Sequence, residues 1–137
     1  MTVQISATGY ARFGRRPEGL IPLAVEAATA ALGEIGRKPV DLLVVGNMLA
    51  GSVNGIENLV SRVANQIGLE TAAGLRVEAA SASGAAAFQT AVQAVNGGPY
   101  ERALVIGVEK MTDRPTSEVA GALAARPLIG IPEGGAT

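Results

Sequence analysis

Apolar positions recur at the spacing of an amphipathic helix in two segments of the chain. The first segment covers residues 20–35, begins near Pro22 and is closed by Gly36. Proline suits the first turn of a helix, and glycine commonly follows the last turn. The second segment covers residues 59–67 and is closed by Gly68. The pattern therefore predicts helices over both segments.

Short apolar runs lie before, between and after these helices. Mostly apolar runs cover residues 40–45, 75–80 and 102–108, and such runs are typical of strands that are buried on both faces of a parallel sheet. Weak alternation over residues 3–8 predicts a further strand. Residues 46–55 are rich in Gly, Asn and Ser and predict a loop. Strands that alternate with helices indicate repeated βαβ units and an α/β fold with a parallel sheet.

An Ala-rich segment over residues 82–95 follows the run at 75–80. Its residues are apolar or very small on nearly every face, which is typical of a buried helix. The strand would deliver Ser81 to the beginning of this helix, where free N–H groups and the helix dipole favour an anion. Ser81 is therefore a candidate nucleophile or anion ligand, and from the junction alone a simple helix-capping hydroxyl remains the alternative.

The composition narrows the classes of function. Only 17% of the 137 residues are charged, against roughly 25% in a typical soluble domain, so we expect other protein surface to cover much of this chain. The net charge is −1 without a basic block, which argues against nucleic acid and anionic membranes. No apolar run approaches the roughly 18 residues of a membrane span, and without a signal peptide core a cytoplasmic location is expected.

The chain contains no cysteine and no histidine. This excludes disulfides, thiolate chemistry and the usual zinc sites, so no metal site is predicted. It also removes the commonest general base. A nucleophilic serine in this chain would have to take its base from elsewhere.

Four segments resemble the thiolase family, in the family's order. Ser81-Ala82-Ser83-Gly84 resembles the Cys-Ala-Ser-Gly nucleophile segment, which in thiolases follows a strand and opens a buried helix. Residues 9–14 resemble the amino-terminal turn of the archaeal and lipid-transfer-protein-like branch. Residues 44–47 resemble the second strand and its turn, and residues 104–113 are similar to the strand and loop that carry the sequence GxEKM. The position of the reactive cysteine is occupied by Ser81.

The resemblance implies a thiolase-like N-terminal half with a mixed, mainly parallel sheet. It covers only the first third or so of a thiolase, and a fragment is expected, with residues 1–113 as the α/β core and 114–137 as the truncated start of the covering loop region. A short helix is predicted at 117–125 within that region. The remainder of the fold, on the same or a separate chain, would cover the helix at 82–95. A homo-oligomer is implied, with the strand at 75–80 near its two-fold axis.

The resemblance also implies the chemistry of an acyl-CoA C-acyltransferase. That reaction is the thiolytic cleavage of a 3-ketoacyl-CoA or the reverse Claisen condensation, with coenzyme A and acyl-CoA as substrates and no bound cofactor. Ser81 would stand at the nucleophile position, and Ser83, Gly84 and Met111 would bind substrate. For Ser83, a helix-capping hydroxyl is the competing interpretation, and for Gly84 it is close helix packing.

Other polar residues have two interpretations each. Asn47 is either a turn residue or a ligand. Glu109 and Lys110 follow the carboxyl end of a strand, where sites of α/β proteins usually lie. By resemblance to the family they line the site or contact the second subunit of a dimer; alternatively, they lie in a solvated loop. The arginines before the first helix either meet the phosphates of coenzyme A or are simply solvated: Arg12, Arg15 and Arg16.

The serine at position 81 leaves several hypotheses open. A helix N-terminus lowers the pKa of a cysteine usefully, but it cannot ionise a serine at neutral pH. Ser81 is an engineered replacement of cysteine, or marks a naturally silent or altered subunit, or is a true nucleophile, or is not the equivalent residue.

The leading hypothesis for the function is the amino-terminal part of a thiolase, inactive alone. A non-catalytic thiolase-like subunit, which completes a fold with a second polypeptide for assembly or acyl-CoA binding, is the alternative. A ketoacyl synthase or hydroxymethylglutaryl-CoA synthase fits the 107–111 segment less well, and a Rossmann nucleotide domain lacks its Gly-x-Gly-x-x-Gly sequence.

Overall fold

A computed structural model of the chain describes residues 2–36 and 38–124. Helices and strands alternate along most of this range. In chain order they are α1 (Leu20–Ile35), β1 (Leu42–Gly46), α2 (Ala50–Asn54), α3 (Leu59–Ile67), β2 (Ala73–Val77), α4 (Ser83–Gly97), β3 (Ala103–Gly107) and α5 (Thr116–Ala124).

The three strands form one parallel sheet in the order β2-β1-β3. Leu42 at the start of β1 lies opposite Ala73 on one side and Ala103 on the other. All residues of β1 are buried, as the mostly apolar run predicted. The predicted α/β fold with a parallel sheet is confirmed.

Helices cover both faces of the sheet. Leu43 and Val45 of β1 point into a core shared with α1 and α3, whereas Leu42 and Val44 point into a second core with α4. This alternation follows from the two-residue period of a strand. The predicted helices at 20–35 and 59–67 are confirmed with these bounds.

The predicted strand at residues 3–8 is wrong. No strand is assigned to these residues, because this part of the chain runs against α1 instead of joining the sheet. The N–H group of Thr8 donates to Glu34 at 3.2 Å. A Cβ on Gly9 would lie 2.3 Å from the carbonyl oxygen of Ala27, so only glycine allows this close approach to the helix backbone.

The loop predicted at 46–55 is also wrong in part, since it contains α2. Gly55 ends this helix in the left-handed conformation at φ 68°, and its N–H group reaches the carbonyls of Ala50 and Gly51. The strand predicted at 75–80 is shifted, because pairing with β1 begins at Ala73 and ends at Val77. Residues 78–80 belong to the turn that follows.

The Ala-rich helix α4 is buried on one face. Ser83, Ala87 and Ala91 are its buried residues, whereas Phe88 is 47% exposed. The expectation that this helix needs a further covering surface agrees with this exposed face. The sequence pattern predicted burial on nearly every face of this helix. Within the described chain, only the face that packs on the sheet is buried.

Beyond the core, α5 packs on α2. Val119 joins Met48, Leu49 and Val53 in a small separate cluster. The short helix predicted at 117–125 is therefore present as α5. Residues 125–137 of the predicted covering region lie outside the described residues, and the proposed boundary after residue 113 stays a prediction.

In the loop before α1, the guanidinium of Arg16 is held by two carboxylates. It pairs with Glu18 at 2.9 Å and with Glu26 at 2.8 Å. The hydrogen bonds from Arg16 lower the pKa of Glu18 to about 2, and they also lower the pKa of Glu26. Arg16 is thus occupied by protein carboxylates, whereas Arg12 and Arg15 are exposed. Binding of coenzyme A phosphates by this loop stays a prediction.

Replacing Arg16 by glutamine is expected to return the pKa of Glu18 towards 4.5. Because folding lowers this pKa, the ion pair stabilises the protein above pH 4.5, and that contribution is lost as the pH falls to about 2. NMR titration of the carboxyl carbons checks the pKa, and denaturation at several pH values checks the window. Arg15→Gln is the control. An unchanged Glu18 titration in Arg16→Gln would contradict the assignment.

Candidate active site

Ser81 lies in the turn that connects β2 to α4, at the carboxyl end of the parallel sheet. We call residues 78–82 the Ser81 turn. Ala80 in this turn has a φ of 48°, a left-handed conformation that residues with a Cβ adopt rarely. Its N–H group donates to the carboxylate of Glu78 at 2.6 Å. The residue immediately before Ser81 is therefore held in a strained conformation, as is common at functional sites.

The hydroxyl of Ser83 fastens this turn internally. Ser83 is 5% exposed, and its Oγ accepts from the N–H group of Ala79 at 2.9 Å and donates to the carbonyl of Ala80 at 2.6 Å. The helix-capping interpretation is wrong, because Ala82 is the N-cap residue of α4 and no side chain caps this end. Substrate binding by Ser83 stays a prediction.

The side chain of Ser81 differs from that of Ser83 in its exposure and in its hydrogen bonding. Ser81 is exposed, and among the described residues no hydrogen bond reaches its hydroxyl. It immediately precedes Ala82, the N-cap of α4, a helix of 15 residues. The N–H group of Ser83 is bonded to the carbonyl of Ala80, so within the described chain the free N–H groups of this helix end are those of Gly84 and Ala85. The side chain is thus accessible to a ligand but has no base within this part of the chain.

Gly46 allows α4 to lie directly on the end of β1. A Cβ on Gly46 would lie 2.5 Å from the carbonyl oxygen of Ser83 and 2.9 Å from the Cα of Gly84. A Cβ on Gly107 would lie 3.6 Å from the Cα of Gly84. The helix thus packs closely on β1 at Gly84, but a Cβ on Gly84 itself would lie 4.0 Å from the Cα of Gly107, an ordinary contact, so the packing does not require Gly84 to be a glycine. Its role in substrate binding stays a prediction.

Asn47 joins all three strand ends. It is 0% exposed, and its side-chain Nδ2 donates to the carbonyl of Val108 at 2.8 Å. Its Oδ1 accepts from the N–H group of Ala50 at 2.9 Å, and its own N–H group donates to Val77 at 3.1 Å. Asn47 is therefore a turn residue in the sense predicted, with a tertiary role that its neighbours in sequence do not indicate.

The side chains of Arg76 and Glu109 fix the same loop from either side. Arg76 donates through Nε to the carbonyl of Asn47 at 3.2 Å and through Nη2 to that of Met48 at 3.0 Å. The carboxylate of Glu109 accepts from the N–H groups of Met48 and Leu49 ahead of α2. Glu109 thus binds backbone within the fold, which neither of its two predicted interpretations described.

Lys110 is the buried cation at this edge of the sheet. It is 6% exposed, and its ammonium group donates to the carboxylate of Asp113 and to Thr112 Oγ1 at 3.3 Å. Asn54 donates to Asp113 as well, at 2.9 Å. The solvated-loop interpretation of Lys110 is therefore wrong. Met111, the next residue, is 36% exposed, and its binding of substrate stays a prediction.

The described part of the chain contains neither a candidate metal site nor a candidate membrane-spanning helix. No group of acidic side chains there is arranged to hold a metal ion. Within residues 2–36 and 38–124, no helix has the length and apolar character needed to cross a membrane.

Comparison with known proteins identifies the family. The family described as "Thiolase, N-terminal domain" matches residues 6–127. The chain belongs to the thiolase family. It is 42% identical over 114 residues to the acetyl-CoA acetyltransferase of Methanocaldococcus jannaschii, a match that covers 81% of this chain and 29% of that protein.

Other relatives of this thiolase-family chain include two kinds of enzyme. It is 38% identical over 104 residues to the acetyl-CoA acetyltransferase of Methanothermobacter thermautotrophicus, covering 73% of this chain and 27% of that protein. It is 34% identical over 105 residues to β-ketoacyl-[acyl-carrier-protein] synthase III 4 of Streptomyces coelicolor, covering 72% and 33%. The chain thus spans no more than about a third of the length of these relatives.

Proposed function

We propose that this chain is the amino-terminal part of a thiolase-type acyl-CoA C-acyltransferase and that Ser81 occupies its nucleophile position. The observation that carries the proposal is the exposure of Ser81 beside the free N-terminus of α4, at the carboxyl end of a parallel sheet. The identity of 42% to an acetyl-CoA acetyltransferase supports acyl-CoA as the substrate class. Ligands of parallel α/β sheets commonly bind at this end.

The chain alone is proposed to be inactive. A serine hydroxyl needs an adjacent base to become a nucleophile, and the chain has no histidine and no cysteine. Among the described residues nothing donates to or accepts from the Ser81 hydroxyl. Thiolysis or condensation would therefore depend on groups supplied by further protein.

Two surfaces support a proposal about those partners. The exposed face of α4, which includes Phe88 at 47% exposure, would pack against the rest of the thiolase fold, on the same or a second chain. In β2, which pairs with β1 on one side only among the described strands, Leu75 is 36% exposed. We propose that this strand lies near the two-fold axis of a homo-oligomer in the cytoplasm.

The serine itself favours a second candidate function. An exposed hydroxyl without a base suits a subunit that completes a thiolase fold with a second polypeptide and serves assembly or acyl-CoA binding. The two candidates differ in whether restoring a thiol at position 81 is enough to restore reactivity to the site.

The test is the substitution Ser81→Cys, which introduces the only thiol in the chain. The rate of alkylation by iodoacetamide, measured against pH, gives the pKa of this thiol. We expect a pKa of about 7.5 or below, because a helix N-terminus lowers it from the ordinary value of about 8.5. Incubation with acetyl-CoA followed by intact-mass measurement then tests acyl transfer in the presence and absence of the remaining fold.

The matched control is Ser6→Cys, since Ser6 is also exposed but lies outside any helix. Its thiol should titrate at the ordinary value. Identical pH profiles for the two variants would overturn the nucleophile position. A lowered pKa without acyl transfer in the complete complex would favour the non-catalytic subunit.

A further inference from the structure

Gly46 and Asn47 contact both ends of the Ser81 turn. At the beginning of the turn, the N–H group of Asn47 donates to the carbonyl of Val77, the last residue of β2, at 3.1 Å. At the end of the turn, the backbone of Ser83 approaches Gly46 so closely that a Cβ there would lie 2.5 Å from its carbonyl oxygen. The distance that the turn must span is therefore set by this pair of residues.

The side chain of Asn47 determines where that pair lies. Its amide donates to the carbonyl of Val108 and accepts from the N–H group of Ala50, at 2.8 and 2.9 Å. It is completely buried, so water cannot replace either partner. A buried polar group that loses its partner is costly, and both bonds are therefore maintained in the folded chain. Arg76 adds a third restraint through the carbonyl of Asn47.

We propose that Asn47 is a positioning residue for Ser81. By fixing residues 46 and 47 between β3 and α2, it fixes the two ends of the Ser81 turn and keeps Ala80 in its left-handed conformation. A strained conformation of this kind persists only where the surrounding structure holds it. The catalytic meaning of this inference rests on the proposed nucleophile position of Ser81, whereas the mechanical part does not.

The mechanical part is tested by amide hydrogen exchange in the full chain carrying Asn47→Ala. The probes are amides bonded inside the turn: Ala79 to Ser83 Oγ, and Ala82 and Ser83 to carbonyls within the turn. We expect these amides to exchange at least tenfold faster, while amides in the centre of β1 change less. Asn54→Ala is the matched control, because its amide bonds Lys110 and Asp113 and does not reach the turn.

A second variant keeps the test informative if Asn47→Ala does not fold. Arg76→Gln removes the bonds to the carbonyls of Asn47 and Met48 from a partly exposed side chain. It should accelerate exchange at the same turn amides by a smaller factor. Acceleration that is uniform over the turn and β1, or absent from the turn in both variants, would overturn the proposal.

The chemical part is tested in the Ser81→Cys background. Adding Asn47→Ala should raise the pKa of the introduced thiol towards the ordinary value of about 8.5, because the sulfur would no longer be held beside the helix N-terminus. Adding Asn54→Ala should leave that pKa unchanged. If Ser81→Cys alone titrates normally, the nucleophile position fails, and the exchange experiment still decides whether Asn47 positions the turn.

Discussion

Replacing Gly46 by alanine is expected to lower the free energy of unfolding by about 3 kcal/mol. The added methyl group would lie 2.5 Å from the carbonyl oxygen of Ser83, 2.8 Å from its carbonyl carbon and 2.9 Å from the Cα of Gly84. All three atoms are backbone, so no side chain can rotate away. Either α4 or the end of β1 must shift, and the central strand is buried throughout.

The matched control for this substitution is Gly33→Ala. Gly33 lies in α1, is exposed, and has nothing within 4 Å of an added Cβ. Because glycine costs roughly 0.5–1 kcal/mol relative to alanine within a helix, this variant should be slightly more stable. Urea denaturation of both variants gives the comparison. Equal stabilities for Gly46→Ala and the unchanged chain would refute the close approach of α4 to β1.

Removing the carboxylate of Asp113 by substitution with alanine is expected to cost about 3 kcal/mol, the lower end for buried ion pairs. Lys110 is 6% exposed and would keep Thr112 as its side-chain partner, at 3.3 Å. The cost stays at the lower end because Asp113 is itself 33% exposed, so water can reach the vacated position. Asn54 would lose its contact with Asp113 as well.

Replacing the other partner of the ion pair, Lys110→Met, should cost only about 1 kcal/mol, because this substitution removes the buried charge and keeps most of the apolar stem. The double variant, which carries both Lys110→Met and Asp113→Ala, should be more stable than Asp113→Ala alone. Urea denaturation of the four proteins forms a double-mutant cycle. A larger cost for Lys110→Met than for Asp113→Ala would show that the ion pair is not the source of the effect.

Several parts of the site were accessible from sequence because they depend on neighbouring residues. The strand before Ser81, the helix after it and the small residue Gly84 form one continuous segment, and each was predicted from local pattern. Family resemblance then selected Ser81 from among the hydroxyl residues. The thiolase N-terminal domain family matches residues 6–127, which confirms the family that the resemblance indicated.

The roles of Asn47 and Glu109 were not accessible in the same way. Asn47 bonds Val108, 61 residues later, and Glu109 bonds Met48 and Leu49. Nothing near Asn47 in the sequence indicates Val108 as a partner, and nothing near Glu109 indicates Met48 or Leu49. These groups meet only when β1 and β3 pair. The short helix α2 was missed for the same reason, because its beginning is organised by these distant groups.

Residues 3–8 illustrate how tertiary contacts overrule a local pattern. Their alternation is weak, and the sheet that would accept them is not specified by the segment itself. The neighbouring α1 supplies carboxylates for the N–H groups of Thr8 and Arg12, at 3.2 and 2.9 Å. Packing of Gly9 on that helix then directs the chain across α1.

The order of apolar and polar residues was enough to establish the α/β class, the helices α1 and α3, the buried central strand and the position of Ser81 at a strand-to-helix junction. These features follow from periodicity and from glycines at element ends, which act over a few residues. The anchoring by Asn47, the bonds that Glu109 accepts from the loop before α2 and the contact of Asn54 with Asp113 required the folded chain. They depend on atoms brought together from distant segments, and hydrogen bonds of that kind leave no periodic trace in the sequence.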